Sequence, residues 1–169
     1  MIESYDIIVI GAGHAGVEGA LAAAKLGLKT LCLTINVDNI AKMSCNPAIG
    51  GVAKGHLVRA IDALGGVMAK AADATGIQFR RLNTKKGPAV RSRRCQSDMD
   101  AYAQFVRKVF ETQPGLDVKQ DMVETILADG GRVTGVKTEL GITYKTKAVV
   151  VATGTFLRGI IHVGEVQIP

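Results

Sequence analysis

Cysteine is scarce in this chain, and the three present, Cys32, Cys45 and Cys95, stand 13 and 50 residues apart. Those spacings match neither a Cys-x-x-Cys redox pair nor a zinc pattern, so free thiols in a reducing compartment are expected. The three histidines, His14, His56 and His162, are not spaced with Asp or Glu as in a metal site or a triad, and no metal is expected. No apolar run approaches the roughly 20 residues that cross a bilayer. The first strand begins close to residue 5, which leaves no room for a signal peptide; a cytoplasmic protein away from the membrane is expected. Internal repeats and low-complexity tracts are also missing.

What is present is core material. Hydrophobic residues make up 47% of 169 positions against 21% charged, the balance of one soluble globular domain. The formal net charge of +6 is concentrated in one stretch, which suits a polyanionic partner.

Residues 7–10 read as an apolar strand and residues 17–26 as an Ala-rich helix stopped by Gly27; between them runs Gly11-Ala12-Gly13-His14-Ala15-Gly16. Gly11 permits the tight turn, Gly13 lets the backbone approach phosphates, and Gly16 lets helix and strand pack closely. The free N–H groups and positive dipole end of the helix then face an anion, so the pattern predicts a dinucleotide pyrophosphate site. His14 either bonds a phosphate or fills a position that the fingerprint leaves open. Residues 29–33 form a second parallel strand, which makes 5–33 a βαβ unit with a right-handed crossover. Where such units carry a ribose-binding acid there is Thr34, and the nearest acid, Asp38, is already in the following loop. That departure counts against plain NAD binding more than against flavin binding.

Residues 36–55 read as a long loop, 55–64 as a helix closed by Gly65-Gly66, and 69–94 as mostly loop with a short strand near 77–82. Loops of that length usually carry function. A helix capped by Ser97 or Asp98 follows, with Met99, Tyr102, Phe105, Val106, Val109 and Phe110 at helical spacing until Pro114-Gly115. Strands at 116–119, 122–128, 133–138 and 142–144, with the turn Asp129-Gly130-Gly131, predict a small antiparallel meander at about 120–146. The unbroken apolar strand 148–151 suits a sheet covered on both faces and leads into Ala152-Thr153-Gly154.

This order of elements resembles the FAD-binding domain of glutathione-reductase-like flavoproteins, an α/β Rossmann-like fold with a parallel sheet and a β-meander. The Gly11 to Gly16 turn, Ser44-Cys45-Asn46-Pro47-Ala48-Ile49-Gly50-Gly51, Lys54-Gly55-His56-Leu57-Val58, Asp62-Ala63-Leu64-Gly65-Gly66 and Leu82-Asn83-Thr84-Lys85-Lys86-Gly87-Pro88-Ala89-Val90-Arg91 narrow the resemblance. Together with Gly154-Thr155-Phe156-Leu157 and Ile161-His162-Val163-Gly164, they make the chain similar to the MnmG (GidA) family of tRNA uridine 5-carboxymethylaminomethyl modification enzymes. The similarity spans 1–169 and corresponds to an incomplete N-terminal FAD-binding domain, since family members are several times longer.

The resemblance implies an FAD enzyme that works with the GTPase MnmE, NADH and a one-carbon folate on carbon 5 of the wobble uridine of tRNA, as a homodimer. It implies FAD contacts at residues 11–16, at Val123 through its backbone, and at Thr153 and Gly154. Cys45 is marked as a candidate catalytic residue, because a thiolate can add to carbon 6 of uracil and make carbon 5 nucleophilic. A spectator thiol shaping the flavin pocket is the other reading. Arg80, Arg81, Lys85, Lys86, Arg91, Arg93 and Arg94 lie within fifteen residues without an acid, and with Phe79 as the one nearby aromatic they suit phosphate contact with tRNA better than base readout. A generic FAD/NAD(P)H oxidoreductase and a truncated, non-catalytic FAD-fold domain are the alternatives.

Overall fold

The computed structural model describes residues 3–44, 46–157 and 159–168. Strand β1 (Ile7–Ile10), helix α1 (His14–Lys25) and strand β2 (Thr30–Thr34) form the opening βαβ unit. Val9 and Cys32 pack toward the helices while Ile8, Leu31 and Leu33 pack the other way, so neither strand can show a polar face. A short 3₁₀ turn, Val37–Asn39, and strand β3 (Ala48–Gly50) interrupt the stretch read as loop. Helices α2 (Lys54–Ala63) and α3 (Met68–Thr75) follow, then strands β4 (Gly76–Leu82) and β5 (Ser92–Ser97).

Residues 69–94 are therefore a helix and a β-hairpin around a turn at 83–91, not mostly loop. The second strand, β5, is hidden because its buried positions are Ser92, Cys95 and Ser97, which carry no period-2 apolar signal, whereas β4 falls where a short strand is expected near 77–82. Strand β4 is held by backbone pairing with β5, which also pairs β3, giving the antiparallel order β3-β5-β4.

Helix α4 (Met99–Glu111) is capped by Asp98, whose Oδ1 accepts from the N–H groups of Asp100 at 3.0 Å and Ala101 at 2.9 Å. It buries Tyr102, Val106 and Phe110 along one stripe. Strand β6 (Leu116–Gln120) joins the parallel sheet; β7 (Val123–Asp129), β8 (Arg132–Thr138) and β9 (Thr143–Lys145) form the expected meander; β10 (Ala148–Val151) returns to β1. The parallel sheet has the order β10-β1-β2-β6. Helices α1 and α4 cover one face, and Val136 and Tyr144 of the meander meet Ile8, Leu31 and Leu33 on the other. A last exposed hairpin, β11 (Ile161–Val163) with β12 (Val166–Ile168), has no counterpart in the sequence reading. Among the described residues no helix is long and apolar enough to cross a membrane.

Candidate functional site at the carboxyl edge of the parallel sheet

Four chain segments leave the sheet at one edge: the glycine turn after β1, Thr34 after β2, Asp121 after β6 and Ala152 after β10. Such a carboxyl edge is where open α/β sheets place ligands. The Gly11 N–H donates to Leu33 O at 2.8 Å and the Ala152 N–H to Ile10 O at 2.8 Å, so the turn is clamped from both neighbouring strands. Gly11 has φ +99°, and a Cβ there would run into the Ala152 carbonyl; one on Gly16 would run into the carbonyl of Gly11. Both positions are closed to larger residues by backbone.

Gly13 differs. It is the N-cap of α1, gives the helix no side-chain cap, and a Cβ built on it would meet nothing within 4 Å. The first turn of α1 carries no acidic side chain. The result is an uncapped helix N-terminus facing open space, which fits a pyrophosphate. Ala12 is buried and its carbonyl accepts from Ala41 N–H at 2.9 Å, which ties the loop after β2 to the turn. Thr153 lies against Gly11, so the structure brings the Ala152-Thr153-Gly154 segment to the glycine turn. Val123 opens the meander just beyond β6, half-buried against the second core cluster.

Asp38, the nearest acid to Thr34 in sequence, is paired with α4: Arg107 Nη1 holds its carboxylate at 2.8 Å and Arg107 Nε binds Glu111 at 2.7 Å. Thr34 is buried, and its Oγ1 donates to Asn36 O at 3.4 Å.

A cavity of about 380 Å³ opens beside the first turn of α1. Its wall includes His14, Ala15, Glu18, Ser44, Asn46 and Lys54, so it joins the glycine turn to the residues on either side of Cys45. Cys45 itself lies outside the described residues. Among the described residues the His14 Nε2 is buried without a partner, and the ring stands 5.6 Å from that of Tyr102, whose hydroxyl is likewise buried and without a partner. Burial pushes the His14 pKa down against a weaker pull from Glu18, and burial followed by Glu18 pushes Tyr102 up. Glu18 accepts from the N–H groups of Val67 at 2.9 Å and Met68 at 2.7 Å, capping α3 from the Rossmann helix. The sequence reading gave Glu18 and Tyr102 no site role; the only signal for Glu18 is its place one turn beyond His14 on the helix.

The seven basic residues form no single strip. Arg80 stands opposite Arg94 and Arg81 opposite Arg93, so the two pairs lie on different faces of the hairpin. Arg94 Nη2 donates to Asn46 Oδ1 at 3.1 Å and Gln96 Oε1 at 2.7 Å, bracing the Cys45 loop. Arg91 Nε donates to Lys86 O at 2.9 Å, which stiffens the hairpin turn bearing exposed Lys85 and Lys86. None of the ion pairs found among the described residues involves these seven side chains. Burial pushes the Cys32 thiol up to about 12, which makes it a poor nucleophile, and Cys95 is buried as well. No three His, Cys, Asp or Glu side chains converge among the described residues.

A parallel sheet whose first turn presents an uncapped helix N-terminus, backed by a β-meander, defines a dinucleotide-binding domain of the flavoprotein type. The chain belongs to the family Glucose inhibited division protein A, whose model matches residues 6–169. It is 56% identical over 169 residues to the tRNA uridine 5-carboxymethylaminomethyl modification enzyme MnmG of Aquifex aeolicus, covering all of this chain and 27% of that protein. The MnmG of Geotalea uraniireducens is 58% identical over 167 residues, with 99% of this chain and 27% of the relative covered. The crystal structure of Aquifex aeolicus GidA superposes with a TM-score of 0.94 over 99% of this chain and 28% of that one. The fold alone is shared, at 15% identity and a TM-score of 0.65 over 91% of this chain and 43% of the other, with pqsL of Pseudomonas aeruginosa, a probable FAD-dependent monooxygenase. This chain thus spans about a quarter of the curated relatives it matches.

Proposed function

We propose that this chain is the FAD-binding part of an enzyme that modifies carbon 5 of the wobble uridine in tRNA, acting with MnmE and using NADH. The observation that carries the reading is the uncapped helix N-terminus at Gly13, open to an anion and continuous with a cavity that reaches both sides of Cys45. Backbone N–H groups of the first turn of α1 would hold the pyrophosphate, with Thr153, Gly154 and the Val123 backbone along the same edge. Bound flavin supplies hydride and carbon-transfer chemistry that side chains lack. The chain's own residues surround the cavity: His14 and Lys54 line it, and Arg94 donates to Asn46, next to Cys45 in sequence. Cys45 is the candidate nucleophile toward uracil carbon 6, and the basic residues of the β4–β5 hairpin are the candidate contacts for tRNA phosphates. Family relatives named for tRNA modification support the substrate.

The test is Gly13→Asp. Gly13 has φ −70° and ψ −177°, which any N-cap residue adopts, and its Cβ direction is open. An aspartate would cap α1 and keep the fold, adding about 1 kcal/mol at most, while placing a carboxylate where the pyrophosphate sits. Titration of the purified protein with FAD, read by visible absorbance and flavin fluorescence, should show saturable binding for the parent and none for the folded variant. Equal binding by both would remove the glycine turn as the site, and a parent that binds no FAD would overturn the flavin reading.

A further inference from the structure

The faces of the β4–β5 hairpin differ in character. Residues paired in register share a face, which puts Phe79, Arg81, Arg93 and Cys95 on one side and Arg80 and Arg94 on the other. A groove of about 480 Å³ lies between the hairpin and α2 and α3; Phe79, Arg81, Arg93 and Cys95 line it with Arg59 of α2, and Arg80 and Arg94 also reach its wall. Phe79 is 60% exposed in this groove with its ring tip against Gly76, so most of the ring is open to a ligand. Asp62 and Asp73 also line the groove, but no guanidinium pairs with either among the described residues. Arg81 and Arg93, directly opposite each other, repel across the strands. An anion on this face relieves that repulsion.

Phe79 and Arg81 are two residues apart on one strand face, about 7 Å, which is the length scale of a nucleotide from base to phosphate. We propose that this groove holds one unpaired nucleotide of the RNA substrate, its base stacked on Phe79 and its flanking phosphates held by Arg81, Arg93 and Arg59. The proposal rests on the tRNA reading above and narrows it to one face of one hairpin. It also gives the one aromatic of the basic stretch a base-stacking role, where the residue types alone favoured phosphate contact.

Fluorescence anisotropy with a labelled anticodon stem-loop RNA tests it in the purified protein, with thermal melts to show that each variant is folded. Phe79→Ala should weaken binding on the order of tenfold without changing its salt dependence, and Phe79→Tyr should restore it. Arg81→Ala and Arg93→Ala should each weaken binding and lower the salt slope by about 0.7. Lys108→Ala on the distant α4 should change nothing. Parent affinity in folded Phe79→Ala, or equal competition by a fully paired RNA duplex, would overturn the groove. Displacement of the RNA by uridine monophosphate, with the same dependence on Phe79 and no preference for RNA, would make it a free-nucleotide site and also overturn the proposal. RNA binding by the parent that ignores Phe79 and Arg81 sinks only this inference. No RNA binding at all sinks the tRNA reading with it.

Discussion

His14 shows how one residue can be placed by sequence and given meaning only by its neighbours. The glycine pattern fixed its position at the start of α1, but not that its Nε2 is buried, without a partner among the described residues, and close to a Tyr102 ring whose hydroxyl is in the same state. Tyr102 falls on the apolar stripe of α4, so the pattern identifies it as core and says nothing about its oxygen. Burial holds the His14 pKa below its ordinary 6.5, so the unfolded chain binds that proton more readily. Stability is therefore complete above about pH 6.5 and falls as pH drops through the window between the unfolded and folded values. Glu3, whose carboxylate is held below its ordinary 4.5 by Lys119 and then Tyr5, contributes stability above about pH 4.5 that is lost only in more acidic solution. Urea midpoints at pH 7.5 and 5.5 should differ in the parent, and the difference should shrink in His14→Gln. At the neighbouring ring, Tyr102→Phe removes a buried hydroxyl without a partner. It should stabilise the protein by about 1 kcal/mol, a rise of roughly 2–4 °C in Tm for a domain of this size; a fall in Tm would mean that the hydroxyl is satisfied.

Elements were legible where burial imposes a period. β10 is observed at the residues read from its apolar run, and α4 is set by its stripe and its acid, with Asp98 rather than Ser97 as the cap. β4 was read near 77–82 and is observed at Gly76–Leu82, but β5 was not read, because its buried positions are Ser92, Cys95 and Ser97 and its pairing is made by backbone, which leaves little hydrophobic signature. The α3 cap was equally hidden, since its acceptor, Glu18, lies 49 positions from Val67. The local cap on α4 is the better experimental handle: Asp98→Ala leaves two first-turn N–H groups without their acceptor and should cost about 1 kcal/mol. Asp98→Asn should recover most of that loss. Thermal melts of both variants check the difference, and equal Tm values for Asp98→Ala and the parent would show that solvent satisfies this helix end.

At the scale of the molecule, the parallel sheet brings residues from positions 11 to 154 to one edge, and this was foreseeable because the βαβ unit and β10 must sit side by side to bury their apolar faces. The charge map was less foreseeable. Sequence counted seven basic side chains within fifteen residues as one patch, but strand alternation sets Arg80 and Arg94 against Arg81 and Arg93 on two faces of the hairpin, Lys85 and Lys86 sit in its turn, and Arg94 is bonded to Asn46 and Gln96. Fewer phosphates should be neutralised than the count of seven suggests. If about four side chains each displace one counterion, log K falls with log salt at a slope near −2.8, or about 50-fold in tRNA affinity between 50 and 200 mM salt. A slope near −5 would require every basic residue of the hairpin to face the RNA and so would contradict the division into two faces. A slope near zero would remove the hairpin from RNA recognition.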